Sequence, residues 1–172
     1  MAVREILKLG HPLLWKKCAI VTEFSSQEVQ KAITDLKDTL ADFRAKNNFG
    51  RGIAAPQIGV PLRIIYIHMP DGSFDGPMIN PVIVAESKDT FELWDDCFSF
   101  PDLLVRVSRA KTITVTYCDE TGAIHRVEVQ NAFSELLQHE IDHVNGILAV
   151  QRAVSPDAFA LRKEWEKFYK NS

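Results

Sequence analysis

The sequence has 172 residues, 46% of them apolar and 25% charged, values that suit one globular domain with a substantial core. With 20 Lys and Arg against 23 Asp and Glu, the formal charge is −3. That balance lacks the basic footprint of a phosphate-gripping surface, so direct, specific nucleic-acid recognition is not expected.

The opening Met1-Ala-Val-Arg-Glu-Ile6 carries both signs of charge and no apolar run, unlike a secretion signal. Ser25 to Lys46 reads as a helix. Val29, Ile33, Leu36, Leu40 and Phe43 make one apolar stripe, and Ser25 with Glu28 has capping-box spacing. Gly50 to Gly59 is too rich in Gly and Pro for a regular element. Its neighbourhood also holds the longest uncharged stretch, the 11 residues from Gly52 to Leu62. A spanning helix needs about 20 apolar residues, so no membrane partner is expected.

Arg63 to Met69 and Pro77 to Glu86 are β-branched runs and read as strands. Lys111 to Tyr117 and Ala123 to Gln130 read as a hairpin around Asp119-Glu-Thr-Gly122. The pattern turns helical from Asn131 to His143 and stops at Asn145-Gly146. A last helix, about 156–170, is expected after Ser155-Pro156, with Ala158, Leu161, Trp165, Phe168 and Tyr169 packed on the body. The sum is a single α+β domain over 1–172.

The cysteines Cys18, Cys97 and Cys118 are far apart, with no CxxC. A disulfide framework is not expected, and a reduced, cytoplasmic setting is the default. Chemistry concentrates in Gln138-His-Glu-Ile-Asp-His143. On a helix, residues four apart lie one above the other, so His139 and His143 can present two imidazoles to one metal. Glu140 then stands beside the metal as a base. Two histidines leave a tetrahedral site incomplete. Glu164 or Glu166 on the later helix would complete a thermolysin-like set, whereas Cys97 would complete a thiolate set. Cys97 has polar neighbours in Asp95, Asp96 and Ser99, poor company for a core cysteine.

Three segments occur in order: Gly50-Arg-Gly-Ile-Ala-Ala-Pro-Gln-Ile-Gly59, Asp95-Asp-Cys-Phe-Ser99 and Gln138-His-Glu-Ile-Asp-His143. Together with Ile6-Leu-Lys-Leu-Gly-His-Pro-Leu13, they resemble the peptide deformylases, whose motifs are GxGxAAPQxG, EGCxS and QHExDH. The resemblance implies antiparallel sheets around a central HExxH helix, with N- and C-terminal helices. It implies Cys97, His139 and His143 as ligands of one divalent metal, Fe2+ as the natural ion, with Zn2+, Ni2+ or Co2+ as substitutes. Glu140 would move the proton, while Gln57 and the backbone N–H of Phe98 would hold the oxyanion. Gly50, Arg51, Gly52, Ile53, Asp95, Asp96 and Glu135 would border the substrate. The reaction implied is hydrolysis of the formyl group from N-formylmethionyl nascent peptides.

Two departures stand out. Asp95-Asp96 replaces the family's Glu-Gly, and Asp95 is expected to keep a bidentate pair with Arg109. Asp96 either takes a positive φ that glycine supplied or crowds the substrate, with Arg51 as its expected counter-ion. Arg51, Asp96 and Glu135 would together put charge around a pocket that normally takes a methionine side chain. The resemblance also implies ribosome docking through the C-terminal helix, where Arg162, Lys163, Lys167 and Lys170 would meet phosphates. Against it stands plain surface solvation, since Asp157, Glu164 and Glu166 nearly cancel their charge. Two rival functions stay open: a zinc endopeptidase using Glu164, and a deformylase-like binding protein disabled at Asp95-Asp96.

Overall fold

A computed structural model describes residues 3–170; of the opening segment, Met1 and Ala2 lie outside the described residues. Helix α1 (Gln27–Asn47) precedes β1 (Gly52–Ala54), β2 (Ile64–His68) and β3 (Asp75–Glu86). Then come β4 (Thr90–Asp96), β5 (Leu103–Ala110), β6 (Thr112–Cys118) and β7 (Ile124–Gln130). Helix α2 (Asn131–Val144), β8 (Phe159–Leu161) and α3 (Arg162–Phe168) complete the order. The strands form two antiparallel sheets, β1-β2-β3-β6-β7 and β4-β5-β8. This is the expected α+β architecture.

Helix α1 forms where its apolar stripe requires it, but its N-cap is Ser26, not Ser25; the Ser26 hydroxyl accepts from Val29 N–H. Its other end is set by Asn48, which adopts the left-handed region (φ 61°). The hairpin turn closes as expected, with Gly122 N–H donating to the Asp119 carbonyl at 3.0 Å. Helix α2 is the centre of the molecule: every residue from Ser134 to Val144 is buried. An HExxH on an exposed helix could be chance; this one has no solvated face along its histidines.

Several expectations need correction. The glycine-rich segment does hold regular structure, β1 followed by a 3-10 turn over Ala55–Ile58. Strands β4 and β5 were not expected, although Val105 and Val107 alternate with Arg106 and Ser108 as an edge-on reading would require. The C-terminal helix does not begin at 156. Residues 159–161 pair with β5 (Ala160 opposite Leu104), because β5 offers an open edge whose backbone groups need partners. Helix α3 is left with seven residues, none of them buried, and Leu161 and Phe168 face solvent.

Candidate active site

Helix α2 is pinned to the end of β5 by Gln138. Its Oε1 accepts from Ala110 N–H at 3.0 Å, and its Nε2 donates to the Ala110 carbonyl at 2.9 Å. This sets the rotation of the next turn, so that His139 and His143 face the residue following β4. There a tight turn, with Phe100 N–H donating to the Cys97 carbonyl at 3.0 Å, presents the Cys97 thiol. Cys97 Sγ lies 3.3 Å from His143 Nε2, which lies 3.2 Å from His139 Nε2. All three side chains are buried and no other group of this kind occurs among the described residues.

These separations suit a metal. Bonds of about 2.0–2.1 Å to nitrogen and 2.3 Å to sulfur place tetrahedral ligand atoms about 3.3–3.6 Å apart. Glu164 is not part of the cluster; it is exposed and bonded to Lys167 at 2.6 Å. Of the two routes to a third ligand, the structure assembles the cysteine route.

Around the cluster, the charges are ordered. His139 Nδ1 is 2.9 Å from Asp95, so its N–H is held there and Nε2 is turned toward the cluster. Burial would lower the His139 pKa, but Asp95 and Cys97 outweigh it and raise it. Burial would likewise raise Asp95, yet His139 and Arg109 hold its carboxyl at about 2. His143 is pushed down by burial and by His139. The Arg109 fork is not bidentate to Asp95. One arm donates to Asp95 (3.0 Å) and the other to Asp142 (2.6 Å), which also binds Arg152 (2.8 Å).

Glu140 is buried, and its Oε2 has no hydrogen-bond partner in the protein. Burial raises its pKa to about 7. A buried orphan oxygen beside the cluster is the arrangement a water or substrate would complete. Gln57 Oε1 accepts from Ala54 N–H (2.9 Å), which aims its Nε2 at Ser99 Oγ (3.2 Å) and Cys97 Sγ (3.5 Å). The Phe98 carbonyl accepts from Lys8 Nζ, while the Phe98 N–H has no acceptor among the described residues.

The glycines are there for space. A Cβ at Gly52 would stand 2.7 Å from Glu140 Oε1, and one at Gly50 (φ 123°) would stand 2.8 Å from Phe98 Cζ. Beside this segment opens a cavity of about 930 Å³, bordered by Gly50, Arg51, Gly52, Asp96, Glu135 and Glu140. Cys97, Phe98, Gln57, Asp95 and His139 also border it. Ile53 does not: its side chain is fully buried in the core between α1 and β1–β2.

Arg51 is not the counter-ion of Asp96. It is bonded to Glu135 and to the Ala132 carbonyl, and Glu135 is buried rather than solvated. Asp96 pairs instead with Arg162 at 2.9 Å. Nor does Asp96 take a positive φ; it is an ordinary strand residue, as the end of β4.

The polypeptide deformylase family model matches residues 3–158. The chain belongs to the peptide deformylase family. It is 37% identical to peptide deformylase 2 of Clostridium perfringens over 153 residues, 89% of this chain and 94% of that one. It is 36% identical to the deformylase of Desulfitobacterium hafniense over 154 residues, 89% and 96% of the two chains. Among solved structures, a deformylase from Legionella pneumophila superposes with a TM-score of 0.81 at 37% identity, covering 90% of this chain and 88% of that chain. That fold is therefore a deformylase fold.

Several residues of this deformylase site were missed in the sequence. Gln138 and Asp142 lie inside the QHExDH motif, and their spacing on α2 could have singled them out. Arg152, Arg162 and Arg44 come from distant segments and carry no local signal.

Proposed function

We propose that this chain hydrolyses N-formylmethionyl peptides at the Cys97–His139–His143 centre, releasing formate and a free amino terminus. The observation that supports this reading most strongly is the convergence of one thiol and two imidazoles beside an orphan buried carboxylate. As a peptide deformylase, the chain is a metal-dependent hydrolase. A divalent ion in this donor set supplies Lewis-acid activation of water and of the formyl carbonyl. We assign Fe2+ as the native ion, with Zn2+, Ni2+ or Co2+ able to substitute, since mixed nitrogen and sulfur ligands suit all of them.

The chain's own residues do the rest. Glu140, held near neutrality by burial, takes a proton from the attacking water and returns it to the departing amine. The Gln57 amide exchanges its Ser99 contact for the formyl oxygen as charge develops, and the Phe98 N–H donates beside it. A fixed donor of this kind contributes about 100- to 1,000-fold in rate. Asp95 keeps the His139 ring from rotating, and Arg109 holds Asp95. Gly52 leaves the volume in which the Glu140 carboxylate sits.

No helix among the described residues is long and apolar enough to cross a membrane, and cytoplasmic action on nascent chains fits this reading. Ribosome docking through α3 would rest on Lys163 and Lys170, because Arg162 is engaged with Asp96 and Lys167 with Glu164. Charge reversal at those two lysines is the suitable test, since truncation at Ser155 would also remove Arg162 from the cavity.

The test of function is formate release and metal content for wild type, Cys97→Ala and Glu164→Gln. Loss of both in the cysteine variant alone supports the reading. Metal loss in Glu164→Gln would favour the endopeptidase. Full metal with no formate from a broad formyl-peptide panel would favour the binding protein.

A further inference from the structure

Helix α1 carries its buried stripe, Ile33, Leu36 and Leu40, one turn further to Arg44. At that point the core ends and the cavity begins, so Arg44 borders the same cavity as Gly50, Phe98 and Glu140. Its stem lies over Gly50, its Cγ 3.3 Å from where a Cβ on that glycine would stand, beside the Phe43 ring that stacks on Phe98 at 3.7 Å. Apart from Glu140, the other charged walls are paired. Arg51 is bonded to Glu135, Asp96 to Arg162, and Asp95 to both His139 and Arg109. Arg44 makes no ion pair among the described residues. The C-terminal end of α1 favours a cation there but offers its guanidinium no counter-ion. Nearby, Arg162 reaches the cavity from the first position of α3, with its guanidinium 5.6 Å above the Phe49 ring.

We propose that this part of the cavity is a carboxylate subsite, in which Arg44 binds a carboxylate carried by the formylated peptide downstream of its first residue. A guanidinium is suited to this, because its planar fork matches a carboxylate with two parallel donors. Two sources share that chemistry, an acidic side chain and the free C-terminus of a short peptide. Glu140, Cys97 and His139 border the same cavity, so a peptide anchored at Arg44 can present its formyl end to them. The inference rests on the deformylase reading and adds a preference to it: acidic over neutral or basic peptides.

The test is kcat/KM for formyl-Met-Ala-Glu, formyl-Met-Ala-Gln and formyl-Met-Ala-Lys, all as C-terminal amides, with formyl-Met-Ala-Gln as the free acid in a fourth arm. Wild type should favour the Glu amide over the Gln amide by about fivefold or more, the scale of a partly exposed charge pair. A matching gain for the free acid alone assigns the subsite to the peptide C-terminus. The preference should fall with added salt. Arg44→Gln should bring the Glu-to-Gln ratio to about one, and Arg44→Lys should restore part of it. Equal kcat/KM for all four peptides, or a ratio that survives Arg44→Gln, overturns the proposal. Affinities of the unformylated products Met-Ala-Glu-amide and Met-Ala-Gln-amide for the nickel-loaded protein read the same subsite without turnover. If no formylated peptide is hydrolysed while the Glu product still binds more tightly, the deformylase reading fails and the subsite stands. Equal product affinities, with no gain for the free-acid peptide, overturn the subsite.

Discussion

Asp95 accepts from His139 Nδ1 at 2.9 Å while accepting from Arg109 Nη2 at 3.0 Å, so one carboxylate links the metal-binding helix to β5. The shorter side chain at this position still reaches the histidine, and it does so from the residue two before Cys97. The pair of contacts fixes both the tautomer and the ring plane of His139.

Asp95→Asn should therefore weaken metal binding rather than the fold. Removing such an outer contact typically costs about 10- to 100-fold in metal affinity. Chelator competition on the wild type and the variant checks it. Unchanged affinity would mean that Asp95 is a packing residue only.

Gly52→Ala should separate the base from the metal. The new Cβ would stand 2.7–3.0 Å from the Glu140 carboxylate and its Cγ, which have to move. A misplacement of about 1 Å at a reacting group costs about 100-fold in rate. Metal content should stay native, because the three atoms nearest the new Cβ all belong to Glu140. Native kcat in this variant would show that Glu140 has room to spare.

Cys18, whose N–H donates to the Val144 carbonyl at 2.9 Å, gives a pH-dependent stability of its own. Burial raises its thiol pKa from 9.0 to about 11, with Arg63 opposing. The folded state keeps the proton while the unfolded chain releases it, so this contribution is present below pH 9 and is lost as pH rises toward 11. The melting temperature should fall over that window, and Cys18→Ala should flatten the fall. An equally steep fall in the variant would assign it to Tyr66 and Tyr117, whose pKa values are also raised by burial.

His139, His143 and Glu140 could be read in the sequence because they sit in one short motif whose helical spacing has a direct geometric meaning. Gln57 and the glycines lie off that helix and could be read only through the resemblance of their segment to a family motif. The ion pairs could not. Arg51 finds Glu135 and Asp96 finds Arg162 across 84 and 66 positions, separations over which spacing says nothing. The C-terminal segment misled for a different reason. Ala158, Leu161, Trp165 and Phe168 do recur at helical intervals, but the open edge of β5 pairs with 159–161 and overrides that local pattern. Ala158 ends up buried while Leu161 and Phe168 face solvent.

The most direct measurement is formate release from formyl-Met-Ala-Ser by wild type and Glu140→Gln, with metal content determined on the same samples. Glu140 is not a ligand, so both proteins should hold one metal ion per chain. Glu140→Gln should lose about 100- to 10,000-fold in kcat, the contribution of a positioned proton-transfer group. Near-native formate release by a fully metal-loaded Glu140→Gln protein would contradict the mechanism assigned to this centre.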